Sequence, residues 1–362
     1  MGGAAIALGF AQAVAATAVL RRLARGRDLP APLAPRHGTR VSVVIPARDE
    51  AERLGPCLEA LRADPDAAEI IVVDDRSTDG TGALAERLGA RVLAGAEPPE
   101  GWIGKPWALQ QGVEAAREEF VVCLDADTRP RRGLLGALAA ELERAEFVTA
   151  TCRFVCDTAG ERWLHPSFLA TLVYRYGPAG TQGTRVLANG QCTATRRVPF
   201  LAAGGYAAAV GYMTDDAALA RALHARGWRV AFADGSALID VDMHDDFAGV
   251  WREWGRSIAL ADVESRPWLA ADVAVVWLAL GLPVLRALAG RPERLDLALL
   301  ALRLALHTRL RSAYASAGAP FWLAPLADPL TAVRLTWSAV RPPRRWRGRT
   351  YGAPGTGRPP AS

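Results

Sequence analysis

The sequence predicts an α/β fold: a mostly parallel sheet with helices on both faces, flanked by N- and C-terminal membrane helices. Three observations predict it. From residue 41, short and wholly apolar strands alternate with amphipathic helices; acidic residues follow those strands; and long apolar runs lie on either side of the alternating body. Strands that are apolar at every position are buried on both faces, so helices must cover the sheet above and below.

Taken in order, residues 4–20 are apolar except for Gln12 and Thr17, and a basic cluster at 21–27 follows them. A secretory signal carries its positive residues before the apolar run, so this segment reads as an anchor. Basic residues after the span place the downstream body in the cytosol. We assign 1–27 to the anchor and 28–39, rich in proline, to a linker. Residues 41–46 then read as a buried strand, 51–62 as a helix, 70–73 as a strand ending in Asp74 and Asp75, and 79–88 as a helix. Residues 91–93 form a short strand, 107–117 a helix, and 120–124 a strand ending in Asp125. The body is expected to span 40–260. Three apolar stretches follow within 261–340, at 268–288, 295–310 and 321–340, the last two interrupted by Arg303, His307, Asp328 and Arg334. The tail at 341–362 is basic and expected in the cytosol.

Composition narrows the function. The 362 residues are 51% hydrophobic and 22% charged, too apolar for a disordered chain. The net charge of +5 gathers near the two ends, without the basic face and interleaved aromatics of a nucleic-acid binder. Five cysteines show no CxxC and no histidine at zinc spacing, which reads as buried reduced thiols. No Ser-His-Asp or Cys-His arrangement is present. Lys105 is the only lysine among 43 basic residues, so it survives a strong bias toward arginine.

In parallel sheets, ligands bind at the carboxyl ends of the strands. Asp125-Ala126-Asp127 follows a strand and offers paired hard oxygens to Mg2+ or Mn2+ on a diphosphate; alone, such a triplet is as often a solvated turn. Asp74-Asp75 ends a second strand and is suited to base or ribose, although Ser77, Thr78 or Asp79 could cap the next helix unaided. Lys105 lies in a glycine-punctuated loop, as a phosphate contact would. Asp215-Asp216 precede a helix expected at 217–226; they either complement its dipole or deprotonate an acceptor hydroxyl.

These pieces together resemble a family 2 glycosyltransferase of the GT-A type. The resemblance rests on VSVVIPARDE (41–50), VVDDRSTDGT (72–81), GWIGKPWA (101–108) and LDADT (124–128). Asn189-Gly190-Gln191, Arg196-Arg197, Gly204-Gly205-Tyr206 and Asp215-Asp216 extend it, so that it covers about residues 40–260. It is greatest to membrane-bound members associated with hopanoid and carotenoid pathways. The resemblance implies that Pro46, Ala47 and Glu50 shape the first nucleotide loop and that Asp75, with Asp74 beside it, holds uracil or ribose. It further implies that Lys105 reaches toward the nucleotide, and that Asp125 and Asp127 hold metal and diphosphate, Asp127 more directly. Asp216, with Asp215, matches the acidic pair that supplies the general base. Gly204, Gly205, Trp251 and Trp254 are placed on the acceptor side, although the two tryptophans also suit interfacial anchoring.

The expectation is an inverting, metal-dependent transfer of one sugar at the cytosolic membrane face. The donor is a nucleotide-sugar, a UDP-sugar first, and the acceptor is lipid-like, an isoprenoid or glycolipid. Processive polysaccharide synthases carry QxxRW, where this chain has Trp251-Arg252-Glu253-Trp254-Gly255-Arg256. This departure predicts a single transfer; a processive synthase is the enzymatic alternative, and a non-catalytic scaffold that binds nucleotide-sugar is the alternative of another class.

Overall fold

The computed structural model describes residues 3–25, 29, 31–178, 180–182, 184–342, 345–346 and 349–350. Residues 26–27 of the anchor, 28 and 30 of the linker and most of the tail from 343 onward lie outside the described residues. The chain divides into two compact units. One comprises Pro30–Phe154 and Val186–Met243; the other comprises the N-terminal helix, Val155–Arg185 and His244–Pro343. Residues 155–185 and 244–260, inside the body expected from sequence, therefore group with the apolar helices.

The first unit is built on a seven-stranded sheet. Its strands are β1 (Val41–Ala47), β2 (Ala67–Asp74), β3 (Arg91–Ala94), β4 (Phe120–Leu124), β6 (Phe147–Ala150), β8 (Cys192–Arg196) and β9 (Val230–Ala233). Two short strands, β5 (Thr128–Pro130) and β7 (Arg153–Phe154), flank β10 (Ile239–Val241) in a small second sheet. In the large sheet the order is β9-β6-β8-β4-β1-β2-β3. All neighbours are parallel except β8, which runs antiparallel to both β4 and β6. Ala47 pairs with Asp74, and Val44 with Cys123. This register brings the loops after β1, β2 and β4 to one edge of the sheet, as expected for an α/β ligand site.

Alternate side chains of the strands feed opposite faces. Val43, Ile45, Val72, Val122 and Val148 pack with Leu54, Leu58, Leu135 and Leu138 in one buried cluster. On the other face the helix Gly104–Ala115 lies against β1 so closely that a Cβ at Gly112 would fall 2.3 Å from Val44 Cγ1. Overpacking of this kind costs about 1–3 kcal/mol. We expect Gly112→Ala to lower stability by that order in denaturant unfolding, with no change in metal affinity.

Several boundaries differ from the sequence expectation. The helix expected at 51–62 begins at Leu54, because Glu50 O accepts both Arg53 N and Leu54 N in a preceding turn. The one expected at 79–88 is Thr81–Arg87, entered through Gly80 at φ +89°. The one expected at 107–117 starts earlier, at Gly104; Pro106 is tolerated because first-turn amides have no intrahelical acceptor. Asp215 and Asp216 do not precede their helix but open it, as the first two residues of Asp215–Ala225. All five cysteines are free and buried, as read from their spacing.

The second unit is helical. Gly3–Ala24 and the continuous Arg266–Leu288 are long and apolar enough to cross a membrane. With them pack Ala159–Tyr176, Arg294–Leu310 and Asp328–Val340. Arg303 and Asp328, which interrupt the apolar runs, are paired inside this unit, whereas Arg334 donates to Trp251 O at 2.9 Å and to Ser338 Oγ at 2.7 Å. Arg303 Nε donates to Asp328 at 2.8 Å, and Asp272 accepts from Arg175 at 3.1 Å and from Arg185. Buried ions persist in such surroundings only when matched in this way. Trp254 lies in a π-helical turn, Val250–Trp254, with its ring 4.2 Å from His165 and 5.7 Å from Phe168. Trp251 stacks on Phe247 at 6.3 Å. Both tryptophans placed on the acceptor side are thus packed within the helical unit.

Candidate active site

The loops after β1 and β2 brace one another. Asp49 Oδ1 accepts Thr78 N at 2.8 Å, Asp49 N donates to Ser77 Oγ at 3.0 Å, and Glu50 N donates to Thr81 Oγ1 at 2.9 Å. Asp49 and Arg76 hold left-handed backbone, φ +53° and +59°, a conformation that non-glycine residues keep only where surrounding contacts enforce it. Asp75 lies beside Arg48 and Arg76, at 3.7 and 3.8 Å, and its amide donates to Ala47 O. Asp74 instead caps its own loop, accepting Ser77 N at 2.8 Å. Of the pair, Asp74 thus braces the turn that follows β2.

Lys105, on the first turn of Gly104–Ala115, is the hub of the acidic groups. Its Nζ meets both oxygens of Asp125, at 2.7 and 2.8 Å, and reaches Gly190 O at 3.5 Å. Burial pulls its pKa down, but the charges of Asp125, Asp215 and Asp216 outweigh burial and hold it above the ordinary lysine value. We expect Lys105→Ala, which leaves these carboxylates without their cation, to destabilise the metal-free protein by about 2–3 kcal/mol, somewhat below the cost of breaking a fully buried pair. Lys105→Arg should lose less; denaturant unfolding of both variants checks this.

Asp127 stands apart. Its Oδ1 is buried with no hydrogen-bond partner. Burial raises its pKa, and the neighbouring charges of Asp125 and Glu50 raise it further. An orphaned carboxylate oxygen with two more carboxylates nearby is a set of hard donors, and it fits Mg2+ or Mn2+. Asp216 is held differently. Its Oδ2 accepts Gly190 N at 3.0 Å and its Oδ1 accepts Ala217 N at 2.7 Å. Burial raises the pKa of both Asp215 and Asp216, and Lys105 opposes this.

The structure thus brings together Glu50, Lys105, Asp125, Asp127, Asp215 and Asp216. Gly205 has a different task. At φ +56°, its Cβ would lie 2.3 Å from Gln110 Oε1, which accepts the Tyr206 amide at 2.8 Å. Arg196 pairs with Glu119, and Arg197 donates to the carbonyls of Val113 and Glu114, so the basic pair ties the entry to β4 and the last turn of the helix Gly104–Ala115. Gly190 and Gln191 had no assigned role. Their backbones orient the acids, Gly190 N on Asp216 and Gln191 O accepting Asp125 N at 3.1 Å. Only the presence of Asn189-Gly190-Gln191 among the quoted motifs signalled them.

Residues 42–202 match the family model described as Glycosyl transferase family 2. An uncharacterized glycosyltransferase of Mycobacterium bovis is 34% identical over 200 residues, 55% of this chain and 85% of that protein. The 4,4'-diaponeurosporenoate glycosyltransferase of Staphylococcus aureus is 25% identical over 246 residues, 66% of this chain and 65% of that relative's length. Among solved structures, the mannosyltransferase PcManGT from Pyrobaculum calidifontis superposes with a TM-score of 0.56 at 19% identity. That match covers 93% of this chain and 98% of the other, a likeness of fold. Sequence, GT-A architecture and the acids at the strand ends agree: the chain belongs to glycosyl transferase family 2.

Proposed function

We propose that the protein transfers a single sugar from a nucleotide-sugar donor to a lipid-like acceptor at the cytosolic face of a membrane, with inversion at the anomeric carbon. The observation that carries this reading is the buried, partnerless Asp127 Oδ1 beside Asp125, across Lys105 from Asp215 and Asp216. Asp125 and Asp127 would hold Mg2+ or Mn2+, which supplies neutralising charge to the nucleoside diphosphate as the glycosidic bond breaks. The PcManGT structure was determined with GDP-Man and Mn2+, which supports a metal and a nucleotide-sugar on this fold. Asp216, oriented by Gly190 N and Ala217 N, takes the proton of the attacking acceptor hydroxyl. Lys105 holds the two acidic groups in one place and balances their charge. The two helices long enough to span a membrane, and a relative named for 4,4'-diaponeurosporenoate, support an apolar acceptor.

The test is calorimetric titration of detergent-solubilised protein with UDP-, GDP- and dTDP-sugars, in Mn2+ and in EDTA. Binding of one donor in Mn2+ alone is the expected result. Folded protein that binds none of them overturns the reading.

A further inference from the structure

At the opposite edge of the sheet, where β1 and β2 begin, a second group of metal-ligating side chains converges. His37, Asp64 and Asp66 each offer one ligand atom within 4.8 Å of the others. Three chain segments meet there. Residues 36–40 lead into β1, 63–66 lead into β2, and 131–136 open the helix Leu134–Glu141.

Most of the carboxylate oxygens are accounted for by backbone amides. Asp66 Oδ1 accepts Gly38 N at 2.8 Å and Thr39 N at 3.2 Å. Asp64 Oδ1 accepts Asp66 N at 3.0 Å, and its Oδ2 accepts Gly133 N at 3.1 Å. Asp66 Oδ2 is the exception. The Asp66 side chain is only 4% exposed, and this oxygen has no hydrogen-bond partner. It faces His37 Nδ1 at 3.5 Å. That is long for a hydrogen bond. It is close to the separation of roughly 3.3–3.5 Å expected for two neighbouring ligands on a tetrahedral zinc with bonds near 2.0–2.1 Å.

The helix backbone approaches this oxygen closely. A Cβ at Gly136 would lie 3.0 Å from Asp66 Oδ2 and 2.4 Å from Arg36 O, so only glycine fits at that position. His37 is half exposed, which gives an ion and its remaining water ligand a path from solvent.

The geometry points to a divalent transition-metal site, Zn2+ in preference to Mg2+, formed by His37, Asp64 and Asp66. An imidazole with two carboxylates balances the charge of a 2+ ion, and nitrogen ligation favours zinc over magnesium. The ion clamps the entries to β1, β2 and the helix at 134, far along the strands from the acids that follow β4.

The experiment uses the full chain, purified without a histidine tag and stripped with chelator, carrying Asp125→Ala and Asp127→Ala so that those carboxylates bind no metal. Calorimetry with Zn2+ should report one equivalent, Co2+ should give tetrahedral absorption bands, and Zn2+ should raise Tm by several degrees. Adding His37→Ala, at a half-exposed position that leaves the fold intact, should remove the equivalent, the bands and the Tm shift. Asp66→Asn keeps an acceptor for Gly38 and Thr39 and should weaken Zn2+ at least tenfold. No Zn2+ equivalent in the Asp125/Asp127 variant overturns the site, as does an equivalent that persists unchanged in His37→Ala. This outcome is independent of donor binding, so the two readings fail separately.

Discussion

Replacing Asp127 by asparagine should lower turnover about a thousandfold while making the metal-free protein more stable. The two effects share one cause. Asp127 Oδ1 is buried without a partner, and the charges of Asp125 and Glu50 lie close enough to raise its pKa further. A carboxyl whose pKa is pushed up to about 8 in the fold costs stability at neutral pH, where the unfolded chain ionises it freely. Asparagine removes that cost, on the order of 1 kcal/mol or more, a few degrees in Tm. The same change removes the oxygen best placed to hold a divalent ion. Loss of about 4 kcal/mol of charge stabilisation in the transition state corresponds to about three orders of magnitude in rate. Glycosyl transfer by wild type and variant, with thermal unfolding of both in EDTA, checks this. A variant that lost activity and also lost stability would mean that Asp127 serves the fold and not the metal.

Much of this site was legible from the chain alone, and the reasons are physical. Wholly apolar strands such as 120–124 can only be central, so the acid that follows must lie at the sheet edge. What lay out of reach were relations set by tertiary contact. Nothing local says that β8 runs antiparallel to its neighbours, or that Lys105 grips Asp125. Nor does the chain alone say that Asp74 turns back on Ser77 while Asp75 stays beside Arg48. The helix Ala159–Tyr176 falls inside the body expected at 40–260. Its buried polar groups instead find partners among the apolar helices: Arg175 on Asp272, and Ser167 on Asp328 at 2.6 Å. The same pairing explains why Arg303 and Asp328 interrupt apolar runs without breaking them.

Asp216→Asn should lower kcat by 10²–10⁴ and leave metal-dependent donor binding intact, which separates an enzyme from a binding scaffold. The geometry supports this separation. Asp216 touches the rest of the site mainly through the amides of Gly190 and Ala217, and an asparagine oxygen can still accept one of them. The Lys105–Asp125 contact does not involve Asp216, so the donor side keeps its principal ion pair. The substitution removes the basicity that a proton acceptor needs, and burial has already raised that basicity above an ordinary aspartate. Asp215 is the internal control. It opens the same helix and feels the same lysine, but the backbone bonds that orient a base fall on Asp216. Asp215→Asn should therefore cost less in kcat than Asp216→Asn. If the two losses were equal, the proton would be shared by the pair, and if Asp215→Asn were the more damaging, the base would be Asp215. Full cellular function retained by Asp216→Asn would remove the catalytic reading altogether and leave a protein that binds nucleotide-sugar without transferring it.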